Sequence, residues 1–247
     1  MTKIKYTVLN TRLNQQQAET KKCFEDYGFK VISFPCIEIV EEENKHKVVS
    51  QLDSCDLNDV IIFTSQHAVR YAYKLNPDWD ISNSIAVVAV GKKTAQILEQ
   101  NFAGHIWIPE RQDSIGVLDL LRGFKYFDGI KLITAANGRD VIQGFAAKKQ
   151  IKIDQINVYK RQLPQVDNNS LSLIEKTDNL YILATSVVTI LNLHRLLPEN
   201  IWNKILKNKL ICASSRIEKA ALDLGFIKTE NMSTANPKKM AVELRNR

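Results

Sequence analysis

The chain has no run of the roughly 18 apolar residues that a membrane span requires. Its start, MTKIKYTVLN, lacks the apolar core and small-residue cleavage site of a secretory leader. Together these absences lead to the expectation of a cytoplasmic protein without a membrane partner. Its four cysteines, Cys23, Cys36, Cys55 and Cys212, form no C-x-x-C pair and have no histidine at metal-ligand spacing. Reduced, packing thiols are expected, and a structural metal site is not. There is also no G-x-S-x-G elbow, no phosphate loop and no G-x-G-x-x-G fingerprint, which argues against a serine-elbow hydrolase and against nucleotide binding. None of His46, His67, His105 or His194 sits in a motif that would make it a base or a ligand. Each reads as a packing or surface residue.

What is present begins with size and charge. At 247 residues and 45% hydrophobic content the chain can bury two modest cores. A net charge of +7 and a pI near 9.1 invite a nucleic-acid partner. The lysines and arginines are spread out, however, and a solvated basic surface that attracts a polyanionic small molecule fits equally well.

The most informative feature is an internal echo. IIFTSQHAV followed by VAVGKKTAQIL returns as YILATSVVTIL followed by LICASSRIEKAA. Thr64 and Ser65 recur at Thr185 and Ser186, an offset of 121 residues, and Gly104 recurs at Gly225 with the same offset. A period of that length is the size of a domain and not of a solenoid repeat. Two similar α/β domains follow, with function expected between them.

Periodicity supplies the elements. KYTVLN, FKVISFP, VIIFT, IAVVAV, HIWI, IKLITA, IKIDQINVYKRQ, LYILAT and KLICA read as strands. Helices are expected over NQQQAETKKCFEDYG, after Ser65, after Lys92, at IGVLDLL, over GRDVIQGFAAKKQ, at LSLIEK, from Ser186, from Ser215 to Gly225 and near Lys238. Strands alternating with helices imply parallel sheets flanked by helices, a flavodoxin-like arrangement. The C-terminal tail has too few strands for a domain of its own. Residues 1–35 with 164–247 are therefore read as one discontinuous domain and 41–157 as a second inserted into it, with 36–40 and 158–163 as a two-stranded linker.

In such sheets ligands sit beyond the carboxyl ends of the strands, where helix N-termini present N–H groups and partial positive charge. The two Thr-Ser turns occupy such places, and so does the Gly91–Thr94 turn. Their hydroxyls also suit simple helix capping.

Taken together and in order, IIFTSQHAV, AVGKKTAQIL, Thr11-Arg12 before an amphipathic helix, NGRDVI around Arg139 and INVYKR around Tyr159 resemble the uroporphyrinogen-III synthase family across nearly the whole chain. The resemblance implies a cofactor-free lyase that dehydrates and cyclises hydroxymethylbilane, inverting ring D through a spiro-pyrrolenine, on the way to haem, sirohaem and cobalamin. It implies that Tyr159 assists loss of the substrate hydroxyl and that Thr64, Ser65, Thr94 and Ser186 line the ligand. Arg12 and Arg139 suit a bidentate grip on acetate or propionate arms. The chain departs from the family at Leu13, at Thr134 with Ala135, and at Ser214 to Ile217, where Ser214, Ser215 or Arg216 would have to meet the ligand instead. A monomer, with transient contact to the enzyme that makes the substrate, completes the expectation. The alternatives are a two-domain small-anion binding protein without catalysis and a basic nucleic-acid module.

Overall fold

The structure is a computed structural model that describes residues 6–136 and 140–246. From the N-terminus come β1 (Thr7–Asn10), a 3-10 turn (Asn14–Gln16), α1 (Gln17–Glu25), β2 (Lys30–Ser33) and β3 (Glu38–Glu41). There follow α2 (Lys45–Asp53), β4 (Asp59–Phe63), α3 (Gln66–Leu75), β5 (Ala86–Ala89), α4 (Lys92–Leu98) and β6 (Ile106–Trp107). Next are α5 (Ser114–Gly123), β7 (Gly129–Ala135), α6 (Val141–Lys149) and β8 (Lys152–Gln162). The chain closes with α7 (Asn168–Lys176), β9 (Leu180–Ala184), α8 (Val187–Leu196), α9 (Glu199–Ile205), β10 (Lys209–Cys212), α10 (Ser215–Asp223), β11 (Lys228–Asn231) and α11 (Pro237–Arg245).

These elements cluster into two compact units, Met1–Ile39 with Gln162–Arg247, and Val40–Arg161. The first holds a sheet in the order β11-β10-β9-β1-β2, parallel at every pairing. Counted within its own unit, that order is the 2-1-3-4-5 of flavodoxin-like folds. The second sheet runs β3-β8-β7-β4-β5-β6 and is parallel from β8 through β6. Its strand order reverses between β7 and β4.

The central strands explain why the sheets are parallel and covered. β4 (DVIIF) and β9 (LYILA) are buried at every position, a composition that suits strands with helices on both faces. In the first unit Leu9, Ile182 and Leu210 pack against Ile190, Leu193 and Ile217 of α8 and α10 on one face. Val8, Leu183 and Ile211 meet Phe24 of α1 and Met240 of α11 on the other. In the second unit Val60, Ile62 and Leu132 pack on Val117 and Leu121 of α5 and on Ile142 of α6.

Three elements stand where the sequence reading placed none. α2 is short and is capped by Asn44, whose side chain accepts the Lys47 N–H at 3.1 Å. α9 buries Ile201, Trp202 and Ile205, a helical spacing hidden between two other helices. β11 (KTEN) is an edge strand, and edge strands tolerate the polar residues that hide them from pattern recognition. The helix expected over NQQQAETKKCFEDYG is in fact a 3-10 turn followed by α1, which ends at Glu25. Gly225 adopts the left-handed conformation (φ 99°) just past α10, whereas Gly104 lies six residues beyond the end of α4. The matching glycines therefore do different jobs.

Candidate active site

β4 ends at Phe63, and Thr64 with Ser65 turns the chain into α3. Ser65 is extended, and its Oγ accepts the Ala68 N–H at 3.1 Å, satisfying one of the helix's unpaired donors. Thr64 Oγ1 lies 3.2 Å from the Ile133 carbonyl and 2.9 Å from Thr134 Oγ1. Thr64 is the donor in both contacts, and with one proton it serves one of them at a time. This ties the turn to the end of β7, at the point where the strand order reverses and where open parallel sheets bind ligands.

Tyr159 enters from β8. A register shift between Thr134 and Ala135 sets Tyr159 opposite Ala135, and its phenol oxygen comes 3.0 Å from Ser65 Oγ. The side chain is only 1% exposed. Tyr71 of α3 stacks on its ring at 5.8 Å between centroids and His67 flanks it at 5.9 Å. Arg161, two residues on and so on the same face of the strand, holds its guanidinium 5.8 Å from the ring centroid. Its Nη2 donates to the phenol oxygen at 3.4 Å. Burial, reinforced by the charges of Arg161 and Arg70, keeps the His67 imidazole below the usual histidine range.

A cavity of about 380 Å³ opens at this end of the sheet. Thr64, Ser65, Thr134, Gln112, Gln143 and Arg161 are among its walls. Tyr159 is not, so the phenol reaches this space through Ser65 and Arg161. Opposite them, Asp113 caps α5 by accepting the Ile115 and Gly116 N–H groups at 3.0 and 3.1 Å. The Gly116 N–H, aided by Arg111, holds the Asp113 carboxyl below the usual range. A Cβ at Gly116 would fall 1.9 Å from the Arg111 carbonyl oxygen, so the cap needs glycine there. Gln112 Oε1 accepts the Lys92 N–H at 3.0 Å and thus occupies the first donor of α4. Thr94, expected to face ligand, is buried in that helix's first turn and does not border the cavity.

In the first unit, Arg12, Ser186 and Ser214 follow the carboxyl ends of the adjacent strands β1, β9 and β10. Arg12 donates through Nε to Gln16 at 3.1 Å and through Nη1 to the Ala235 carbonyl at 3.1 Å. Burial holds its pKa below the ordinary value, against the nearby Glu19 and Cys23. Ser186 caps α8 by accepting the Thr189 N–H at 3.1 Å, with the Thr189 hydroxyl 2.7 Å away. Ser214 precedes α10 without a side-chain cap bond, and Ser215 Oγ accepts from Asn231 Nδ2 at 3.1 Å. Arg139 lies outside the described residues.

A family model described as uroporphyrinogen-III synthase HemD matches residues 18–237. The chain belongs to the uroporphyrinogen-III synthase family. Membership makes it a cyclising lyase of tetrapyrrole biosynthesis. A mutant uroporphyrinogen III synthase from the extremely thermophilic bacterium Thermus thermophilus superposes with a TM-score of 0.63 at 17% identity, covering 98% of each chain. The uroporphyrinogen-III synthetase of Helicobacter pylori gives 0.61 at 14% identity, over 98% of this chain and 100% of that one. At such identities these likenesses speak for the fold. No curated protein sequence matches this one.

In the frame of a uroporphyrinogen-III synthase, sequence reasoning missed Arg161, Gln112 and Gln143. A signal existed for Arg161 alone: in INVYKR it sits at the strand period from Tyr159. Gln112 and Gln143 lie in and beside helix starts with no pattern to mark them. Among the described residues no cluster of histidine, cysteine and carboxylate side chains suited to a metal ion occurs.

Proposed function

We propose that this chain dehydrates and cyclises hydroxymethylbilane at the carboxyl end of the Val40–Arg161 sheet, with Tyr159 assisting departure of the hydroxyl. The observation that carries this reading is the Tyr159 phenol held at 3.0 Å from Ser65, a wall of the cavity at the strand-order reversal. The cavity's volume, about 380 Å³, is at the low end of the ~300–1,000 Å³ usual for small-molecule sites. It accommodates part of an eight-carboxylate tetrapyrrole. Arg161, together with the N-terminus of α3, supplies positive potential for an acetate or propionate arm. In the other unit the proposed carboxylate contacts are Arg12, Ser186, Ser214 and Ser215; Thr94 and Arg139 complete the proposed set.

The chemistry asks little of any one group. The pyrrole nitrogen expels the hydroxyl, a hydrogen-bond donor assists, ring D attacks to give the spiro-pyrrolenine, and rearrangement yields the type III macrocycle. Because the linear substrate closes unaided without inversion, the protein's main contribution is to hold the folded conformer. Orientation of this kind lowers barriers by up to about 7–11 kcal/mol, while general acid assistance adds about 10²–10⁴ in rate. We further propose residues 1–35 with 164–247 and 41–157 as the domains, a cytoplasmic monomer, and transient contact with the enzyme that supplies the substrate.

The test is incubation with hydroxymethylbilane. The type III isomer should far exceed the spontaneous type I product, and Tyr159→Phe should lower kcat by about 10² or less with the fold intact. Binding without type III formation would leave only the carrier reading standing.

A further inference from the structure

We propose that Ser65, and not Tyr159, is the group that hands the proton to the departing hydroxyl, with Tyr159 behind it as the proton source and Arg161 as the counter-charge. The inference rests on the proposed role of Tyr159 and deepens it.

The geometry is a short chain of three groups, Arg161, Tyr159 and Ser65. Arg161 has only N–H donors, so its contact with the phenol oxygen at 3.4 Å must be a donation. That oxygen accepts from Arg161, and of the two directions open to the 3.0 Å contact with Ser65 Oγ the relay uses the one in which the phenol donates. Ser65 Oγ also accepts the Ala68 N–H at 3.1 Å. A serine hydroxyl has two acceptor sites and one proton. With the phenol donating, both acceptor sites are taken and the proton is left for the cavity that Ser65 lines. Tyr159 cannot deliver a proton there directly, because its side chain is 1% exposed and does not border the space.

The step balances. As the C–O bond of the hydroxymethyl group breaks under the push of the pyrrole nitrogen, its electron pair stays on oxygen. That oxygen takes the Ser65 proton and leaves as water. Ser65 takes the Tyr159 proton in turn, and the phenolate is met by the Arg161 guanidinium. The proton released when the closing ring D regains its aromatic form returns along the same path. Tyr159 and Arg161 are thus positioning and supply residues, and Ser65 is the catalytic residue that touches the substrate.

Two groups in series fail together, whereas two independent groups fail multiplicatively. The experiment measures kcat for type III formation from hydroxymethylbilane in S65N, S65T, Y159F and the double S65N/Y159F, with spontaneous type I subtracted. Asparagine keeps the N-cap but has no hydroxyl proton to relay; threonine keeps both cap and hydroxyl. We expect S65N and Y159F each to lose about 10²-fold, the double to lose no more than either, and S65T to keep most of the activity. Arg161→Met should lower kcat, and Arg161→Lys, which keeps the counter-charge, should restore it in part. If Y159F is slowed while S65N keeps its rate, the relay is wrong and the Tyr159 reading survives. If Y159F turns over normally, the Tyr159 reading falls and takes the relay with it. A double variant whose loss is the product of the single losses also overturns the relay.

Discussion

Ile61 of β4 and Ile182 of β9 stand 121 positions apart, and each has a partner in register on the neighbouring strand, Lys131 for one and Leu9 for the other. On the next strand, Asp154 pairs Lys131 where Ile32 pairs Leu9. One unit places Leu9 and Ile32 in an apolar core. The other buries an ammonium at the same ladder position, 3% exposed, 2.7 Å from Asp154 and 3.7 Å from Asp59. Ser54 Oγ accepts from it at 3.2 Å. Burial works against the Lys131 charge, but the hydrogen bond and charge of Asp154, with Asp59 behind, hold its pKa above the usual lysine value. The two sheets show that the backbone ladder dictates the architecture while the side chains at one rung are open to opposite solutions.

That contrast predicts the largest stability change. Lys131→Leu copies the apolar unit at one position only and leaves Asp59 in the interior with the Asp56 N–H as its remaining partner. Removing one partner of a buried pair costs about 3–5 kcal/mol, to be read from the urea midpoint. Adding Asp59→Asn, which keeps the Asp56 N–H bond without the charge, and Asp154→Ile should recover most of the loss, because neutral replacement of a buried ion pair is often harmless or better. If the single change were harmless, the cluster would contribute no stability and the comparison would be one of form only.

The same pairings show what could be read in advance. Two α/β units, their parallel sheets and the paired Thr-Ser turns were legible because they rest on burial period and on a repeat, and IKLITA was read as a strand despite its lysine. The environment of that lysine was not legible, since strand pairing sets Lys131 beside Asp154 of β8 and beside the start of β4, where Asp59 lies. The Ser65–Tyr159 contact spans 94 residues and is hidden for the same reason: the sequence marks Ser65 as a capping or ligand-lining turn residue and Tyr159 as an assisting phenol, with nothing to join them. Their juxtaposition needs both the β7–β4 neighbourhood and the register shift at Ala135. α9 and β11 were missed because one abuts another helix and the other is polar.

The two Thr-Ser turns sharpen the comparison at a smaller scale. Both serines cap their helices with a bond of 3.1 Å to the third residue onward. Beyond the cap they diverge: Ser65 meets a phenol and Ser186, among the described residues, the Thr189 hydroxyl one helical turn on. On the helices, Tyr71 stacks on Tyr159, whereas Asn192, 121 positions later, donates to the Cys36 carbonyl at 2.8 Å. Ser186→Ala should therefore cost about 1 kcal/mol of stability, the usual value of a lost cap. In kinetics it should raise KM a few-fold with kcat unchanged, as expected for a binding turn without a proton role. A fall in kcat matching that of the Ser65 variants would erase the functional difference between the turns.

The smallest effect concerns acid. His67 lies beside Tyr159, and burial with the charges of Arg161 and Arg70 depresses its pKa in the folded protein. The unfolded chain then binds this proton at higher pH than the folded one, so the stability His67 contributes is full above the ordinary histidine value, ~6.5. It is lost as pH falls through that value toward the folded one. Between pH 7 and 5.5 the urea midpoint should drop more for the natural protein than for His67→Gln, by a fraction of the ~1 kcal/mol of a cap because the imidazole is only half-buried. The matching position on α8, 121 residues on, is Val188, which has no proton to gain and is 51% exposed. Amide exchange, corrected for its intrinsic pH dependence, should therefore show α3 loosening on acidification while α8 keeps its protection. Equal loosening of both helices would assign the acid sensitivity to the general charge of +7 and not to the ring beside Tyr159.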